Sequence, residues 1–214
     1  RALGTNPISY SAPANKLPNF VFDAAMTSVA GNKIVLASRL NVPLSPGWIA
    51  DKDGNPIMKE ISIEELNHED ESKNLENRYN KGYISSSVDL LPFGGTREIG
   101  SHKGYSMAVV VDILAGILNG TRTAPTGDYK NQGHFVAAYD IDAFMDIKEF
   151  KELMDRYLQS FLDLPSNSEG KKVIYAGYLE SIEESKRSQT GIPLHKEVVN
   201  WFKKIAKELN TESL

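Results

Sequence analysis

The stretch Leu90-Leu91-Pro92-Phe93-Gly94-Gly95 leads to His102-Lys103-Gly104-Tyr105 and then to an apolar run that ends at Leu118. A glycine turn frees backbone amides, a lysine adds a cation, and a helix N-terminus presents N–H groups with a positive partial charge. Together these hold an anion, and a phosphate-bearing cofactor is the natural occupant. The same residues also suit an ordinary loop that feeds a core helix. A bare Gly-Gly and a Lys-Gly are too common to separate the two.

Other residues carry possible chemistry. Asp23 follows the apolar triplet Phe20-Val21-Phe22 and precedes the small residues Ala24 and Ala25, which let a ligand approach the backbone closely. Its carboxylate can accept hydrogen bonds from hydroxyls such as those of a ribose; equally, Asp23 or Thr27 can cap the next helix. Asp51 stands after Pro46-Gly47-Trp48-Ile49-Ala50 and before the turn Lys52-Asp53-Gly54-Asn55-Pro56. It reads as a turn residue unless a histidine lies near it, in which case it orients that imidazole. His68 lies among Glu69, Asp70 and Glu71, but carboxylates adjacent in sequence do not converge easily on a metal, and no metal is expected. The dinucleotide fingerprint G-x-G-x-x-G, the phosphate loop G-x-x-x-x-G-K-[ST] and the elbow G-x-S-x-G are all missing.

The elements that must position these groups can be read from periodicity. Ile8 to Pro13 and Phe20 to Phe22 predict short strands, and Lys33 to Leu40 a helix ended by Asn41. Glu60 to Lys81 is rich in Glu, Asn and Lys and reads as a solvated excursion with a short helix around Ile63 to Leu66. Met107 to Leu118, interrupted by Asp112, is too short for a bilayer and predicts a buried helix. Val136 to Ile141 predicts a strand covered on both faces, and Val173-Ile174-Tyr175 another strand. Asp146 resembles a helix cap, followed by a core stripe of Phe150, Leu153, Met154, Tyr157, Leu158 and Phe161. Gly191-Ile192-Pro193 opens a final amphipathic helix. Strands alternating with helices indicate an α/β or α+β layered domain.

The chain has 214 residues, 41% hydrophobic and 24% charged, with a formal net charge of -4. This is a globular balance without the basic stripe of a nucleic-acid surface. There is no cysteine, which excludes disulfides, thiolate nucleophiles and cysteine-ligated zinc. No membrane span and no secretory signal are visible, so a cytoplasmic location is expected. The chain begins at Arg1 rather than Met and is expected to be a fragment or the partner of a separate upstream segment.

Taken in order, the segments Leu3 to Ile8, Asp23 to Lys33, Pro46 to Asp51, Leu90 to Gly95, His102 to Tyr105, Asn131 to Phe135, Tyr175 to Gly177 and Gly191 to Leu194 resemble the malate/L-lactate dehydrogenase family of the second type. That NAD(P)-dependent group also contains sulfolactate and ureidoglycolate dehydrogenases and a cyclic-imine (piperideine/pyrroline carboxylate) reductase. The resemblance implies a non-Rossmann α/β (α+β) fold, a layered mixed sheet with flanking helices like that of sulfolactate dehydrogenase. It implies a cofactor-binding domain over residues 8–140, with an insertion near 60–81, and a C-terminal helical portion over 141–214 that packs on the substrate and dimer domain.

By the same resemblance, NAD or NADP is held by Asp23, Ala24 and Ala25, by Lys103 and Gly104 with His102 beside them, and by the turn at Gly177. Asn131 and His134 lie near the substrate, a 2-hydroxy or 2-oxo acid. Asp51 supports a catalytic histidine that lies upstream of the matched segments, and the intact protein is expected to be a homodimer. Three features depart from the family pattern: Ala-Ala-Met-Thr replaces Met-Ala-Thr-Ser after Asp23, Tyr178 replaces an acidic residue, and the link over Glu60 to Lys81 is longer. A non-catalytic nucleotide-binding fragment is the rival reading.

Overall fold

The computed structural model describes residues 3–68, 89–121, 133–167 and 170–212. Its elements in order are β1 (Ile8–Ala12), β2 (Phe20–Ala24), α1 (Gly31–Leu40), β3 (Ile49–Ala50), α2 (Ile63–His68), β4 (Asp89–Leu90), α3 (Ser101–Ala115), α4 (Ile147–Leu162), α5 (Tyr178–Thr190) and α6 (Lys196–Leu209). Among the described residues the strands form two small sheets, β1 with β2 and β3 with β4. The second is antiparallel, with Ile49 opposite Leu90 and Ala50 opposite Asp89. The chain divides into two compact units, Arg1–Tyr10 with Phe22–Asp140, and Ser11–Val21 with Ile141–Leu214.

The first unit is built around the β3–β4 pair. Leu44 and Ile49 are fully buried there with Ala37, Ile61 and Leu66, and Trp48, Ile34, Ile57 and Leu90 pack around them. Removing such side chains from water supplies most of the favourable free energy of a unit this small. Asn41 ends α1 in the left-handed conformation, as its position after Leu40 predicts. The solvated excursion is described only as far as α2; the rest of it, with Glu69, Asp70 and Glu71, lies outside the described residues.

The second unit closes on Leu158, Tyr175 and Ala14. Asp146 caps α4 as expected, its carboxylate accepting the amides of Lys148 and Glu149 at 2.9 and 3.0 Å. The apolar stripe of α4 is only partly core: Leu158 is buried and Met154 and Phe161 pack beside Tyr175, whereas Leu153 and Tyr157 face outward. Successive amides of Asn15, Lys16 and Leu17 converge on the Asp155 carboxylate at 2.9–3.1 Å. Burial pulls that carboxyl up, but the amides of Lys16, Leu17 and Asn15 outweigh it and hold it below the ordinary range. The Tyr175 hydroxyl donates to the Pro18 carbonyl at 2.8 Å, and burial pushes the phenol up.

Three sequence expectations fail, the first and the last for one physical reason. Val136 to Ile141 forms no covered strand: residues 133–140 carry no strand, and Val136 is 89% exposed. Val173-Ile174-Tyr175 is also not a strand. The helix over Met107 to Leu118 is buried on one side only. Gly104 and Ala108 are buried, while Val110, Ile113 and Ile117 are exposed, the last in a short 3-10 turn over Ile117–Asn119. Apolar composition states that a segment can be buried, not that a neighbour is present to bury it.

Candidate functional site

Within the first unit, three distant segments are tied together by short backbone bonds. The Met26 amide donates to the Thr5 carbonyl at 2.7 Å, and the Phe93 amide to the Met26 carbonyl at 3.0 Å. The Ser28 amide and hydroxyl donate to the carbonyls of Leu91 and Pro92 at 2.8 and 2.7 Å. The Leu91 amide donates to the Trp48 carbonyl at 3.0 Å, which fastens the assembly to the β3–β4 pair. Beside these bonds lies a half-open cavity of about 310 Å³ lined by Leu3, Gly4, Thr5, Met26, Thr27, Asp89, Leu90, Pro92, Tyr105 and Ala108. Its walls are mostly apolar, with the hydroxyls of Thr5, Thr27 and Tyr105 and the Asp89 carboxylate among them. The volume lies at the lower end of the ~300–1,000 Å³ typical of ligand pockets.

The anion cradle read from the sequence is altered in a specific way. Two amides at the N-terminus of α3, those of Ser101 and Lys103, are bonded at 2.9 Å to the carbonyls of Thr96 and Gly100. The loop satisfies its own helix end, so an anion at this place meets the exposed side chains of His102 and Lys103 rather than those two amides. Gly104 has a packing reason to be glycine: a β-carbon there would lie 2.7 Å from the Phe93 nitrogen and closer still to the Phe93 carbonyl oxygen. That close approach brings the Pro92–Gly95 turn against α3 and sets one wall of the cavity.

Asp23 is exposed near the end of β2, which closes at Ala24, and Ala25 carries the chain to Met26 and Thr27 on the cavity wall. Neither Asp23 nor Thr27 caps α1, whose cap position is Ala30 with no side-chain bond; the Thr27 hydroxyl donates instead to the Val29 carbonyl at 2.8 Å. The capping alternative is thereby excluded.

Asp51 organises its own turn. One carboxylate oxygen accepts the amides of Asp53 and Asn55 at 2.9 and 2.8 Å, and the other accepts the Asn55 side chain at 3.2 Å. The Asn55 amide and side chain, with help from Asp53 and Gly54, hold the carboxyl below the usual range. No imidazole is among these partners. A carboxylate offers about four acceptor positions, so one remains on the second oxygen.

His134 is exposed, and Asn131 lies outside the described residues. His195 caps α6, its Nδ1 accepting the Glu197 amide at 3.4 Å. Gly177 belongs to the second unit. It has φ 91°, and a β-carbon would lie 2.9 Å from the Val21 nitrogen, so within its own unit it too is held by packing. Among the described residues no group of three His, Asp or Glu could hold a metal ion. No described helix is long and apolar enough to cross a membrane. None of the lining residues is among those that the sequence named as cofactor, substrate or catalytic residues; the available signal was their place within or beside segments already singled out.

The model of one family, described as malate/L-lactate dehydrogenase, matches residues 1–203. The chain belongs to the malate/L-lactate dehydrogenase family. Among family relatives, the malate dehydrogenase of Pyrococcus horikoshii is 31% identical over the whole of this chain and 55% of its own length. The solved structure of that enzyme superposes with a TM-score of 0.74, covering 100% of this chain and 53% of that one. The malate/(S)-sulfolactate dehydrogenase of Methanothermus fervidus is 34% identical over 98% of this chain and 54% of its own length. The Delta(1)-pyrroline-2-carboxylate reductase of Agrobacterium fabrum is 30% identical over 66% of this chain and 35% of its own length. The chain thus spans about half the length of the curated family members it matches. Segments that the sequence singled out for their likeness to this family supply eight of the ten lining residues, Leu3, Gly4, Thr5, Met26, Thr27, Leu90, Pro92 and Tyr105.

Proposed function

We propose that the intact protein is an NAD(P)-dependent oxidoreductase that interconverts a 2-hydroxy acid, such as malate, lactate or sulfolactate, and its 2-oxo acid. The observation that carries this reading is the cavity, assembled from segments that are dispersed in sequence and shared with dehydrogenase relatives. Its chemistry fits a nicotinamide cofactor. Met26, Leu90, Pro92 and Tyr105 offer apolar surface to a flat ring, Thr5 and Thr27 offer hydroxyls, and Asp23 stands at the mouth of the Ala24–Thr27 loop as an acceptor for ribose hydroxyls. Lys103 offers positive charge, and His102 a ring N–H, to a pyrophosphate. When bound, such a cofactor takes up or supplies the hydride exchanged with the substrate carbon.

The proton that accompanies the hydride comes, in this reading, from a histidine upstream of the matched segments. Asp51 uses its remaining acceptor position to fix the tautomer of that imidazole. Asn131 and His134 serve the substrate, Gly177 closes the cofactor site, residues 8–140 form the cofactor domain of a layered non-Rossmann fold, and residues 141–214 pack on the substrate side of a homodimer in the cytoplasm.

A second reading, reduction of a cyclic imine on the same scaffold, is supported by the similarity to the Agrobacterium reductase. The experiment supplies the intact protein with NAD+ or NADP+ and malate, lactate or sulfolactate, and separately with NADH or NADPH and pyrroline-2-carboxylate, and follows nicotinamide absorbance. Oxidation of a 2-hydroxy acid is the expected result. Turnover of the imine alone replaces the first reading with the second, and cofactor binding with no turnover of any of them leaves a non-catalytic nucleotide binder.

A further inference from the structure

Asp112 is out of place by local rules. It stands inside the apolar run of α3, where aspartate is a poorer helix former than leucine. Asn6 is also unusual, with φ 40°, a left-handed conformation that asparagine tolerates and most residues do not. The two anomalies meet. The Asn6 Nδ2 group donates to Asp112 Oδ1 at 2.7 Å and to the Ala108 carbonyl at 2.8 Å, across 106 and 102 residues of chain. An amide nitrogen carries two hydrogens, and both are used. Conflicts with local preference that a fold nevertheless keeps tend to mark functional positions.

The consequence lies one residue away on each side. Gly4 and Thr5, which precede Asn6, line the cavity, and so does Ala108, whose carbonyl Asn6 holds. The Thr5 carbonyl in turn accepts the Met26 amide on the opposite wall. A connected path therefore runs from Asp112 through Asn6 and Thr5 to Met26.

We propose that Asn6 and Asp112 are a positioning pair for the cavity, clamping the Leu3–Thr5 wall to α3 so that the space keeps the width of a flat cofactor ring. Neither residue lines the cavity. The proposal rests on the cofactor reading given above for the ligand, but not for the clamp itself. Helix α3 also packs at Gly104 against Phe93, so the pair is not its sole described contact.

The test compares D112L, D112N and N6G in the intact protein by three readouts: hydrogen exchange at the Met26 amide, the dissociation constant for NADH from nicotinamide fluorescence, and Tm. D112L removes the acceptor and installs a better helix former; N6G keeps the left-handed backbone and removes the donor, and serves if D112L does not fold. Both are expected to speed Met26 exchange and weaken NADH binding by about tenfold, the worth of one hydrogen bond to a charged group. D112L is expected to leave Tm unchanged or raised. D112N retains a neutral acceptor and is expected to stay within about threefold of the parent on both. Parent-like exchange in D112L and N6G overturns the proposal, as does a fall of Tm in step with affinity. If the parent binds no NADH while D112L still loosens Met26, the clamp stands and the cofactor reading fails.

Discussion

Gly104→Ala puts the geometry of the cavity wall to a quantitative test. The added β-carbon would lie 2.7 Å from the Phe93 nitrogen and 2.7 Å from its β-carbon. Favourable carbon contacts begin near ~3.5 Å, and the Phe93 carbonyl oxygen would lie closer still than these two atoms, so α3 or the Pro92–Gly95 turn must retreat by about 1 Å or more. The obstacle is backbone, which cannot rotate aside as a side chain can. Overpacking against backbone costs about 2–3 kcal/mol, the upper part of the usual range, and alanine recovers about 1 kcal/mol in helix propensity. The net loss is about 1–2 kcal/mol, which for a chain of this size is a fall in Tm of roughly 2–8 °C. Because Pro92 lines the cavity, NADH affinity falls in the same variant. Thermal unfolding followed by circular dichroism, with a fluorescence titration of NADH, reads both. An unchanged or higher Tm with parent affinity would show that alanine simply improved the helix and that the close approach to Phe93 does not form.

Lys103→Ala is expected to weaken NADH binding about tenfold, the value of one charged hydrogen bond, and the difference should shrink as salt is added because the side chain is exposed; a titration at two ionic strengths checks it. Asp51→Asn keeps an oxygen acceptor for the Asp53 and Asn55 amides, so Tm should hold while kcat falls if Asp51 supports an imidazole; equal loss of both would make it a turn residue only. The Asp155 carboxyl lies below its ordinary range when folded. Its stabilisation is therefore fully present above the unfolded value of about 3.9 and is lost as pH falls through the lower folded value. Asp155→Ala should lower Tm at neutral pH and converge with the parent at acid pH, and parallel Tm curves against pH would contradict this.

Local features were legible in the sequence where their cause is local. The Asp146 cap, the Asn41 stop and the helices α1 and α6 follow from side chains acting within one turn, and the structure places them where expected. Burial was legible only as capacity. Val136 and Val110 are as apolar as core residues, but exposure depends on neighbours that no short pattern encodes. The site was half legible for the same reason. Motif likeness pointed to the Asp23, Leu90 and Lys103 segments, whereas the cavity itself arises from contacts between residues far apart in sequence, such as Thr5 with Met26 and Met26 with Phe93. Glycine at 104 was legible only as half of a Lys-Gly pair; that Phe93 comes against it in the fold is a contact no local pattern encodes.

The claim that this cavity is the cofactor site is tested most directly by amide hydrogen exchange of the intact protein with and without saturating NADH. Binding in the cavity predicts slowed exchange in Leu3–Thr5, Met26–Ser28 and Leu91–Tyr105, with α6 unchanged. NADH that protects none of these segments, or that protects a different part of the chain, contradicts it.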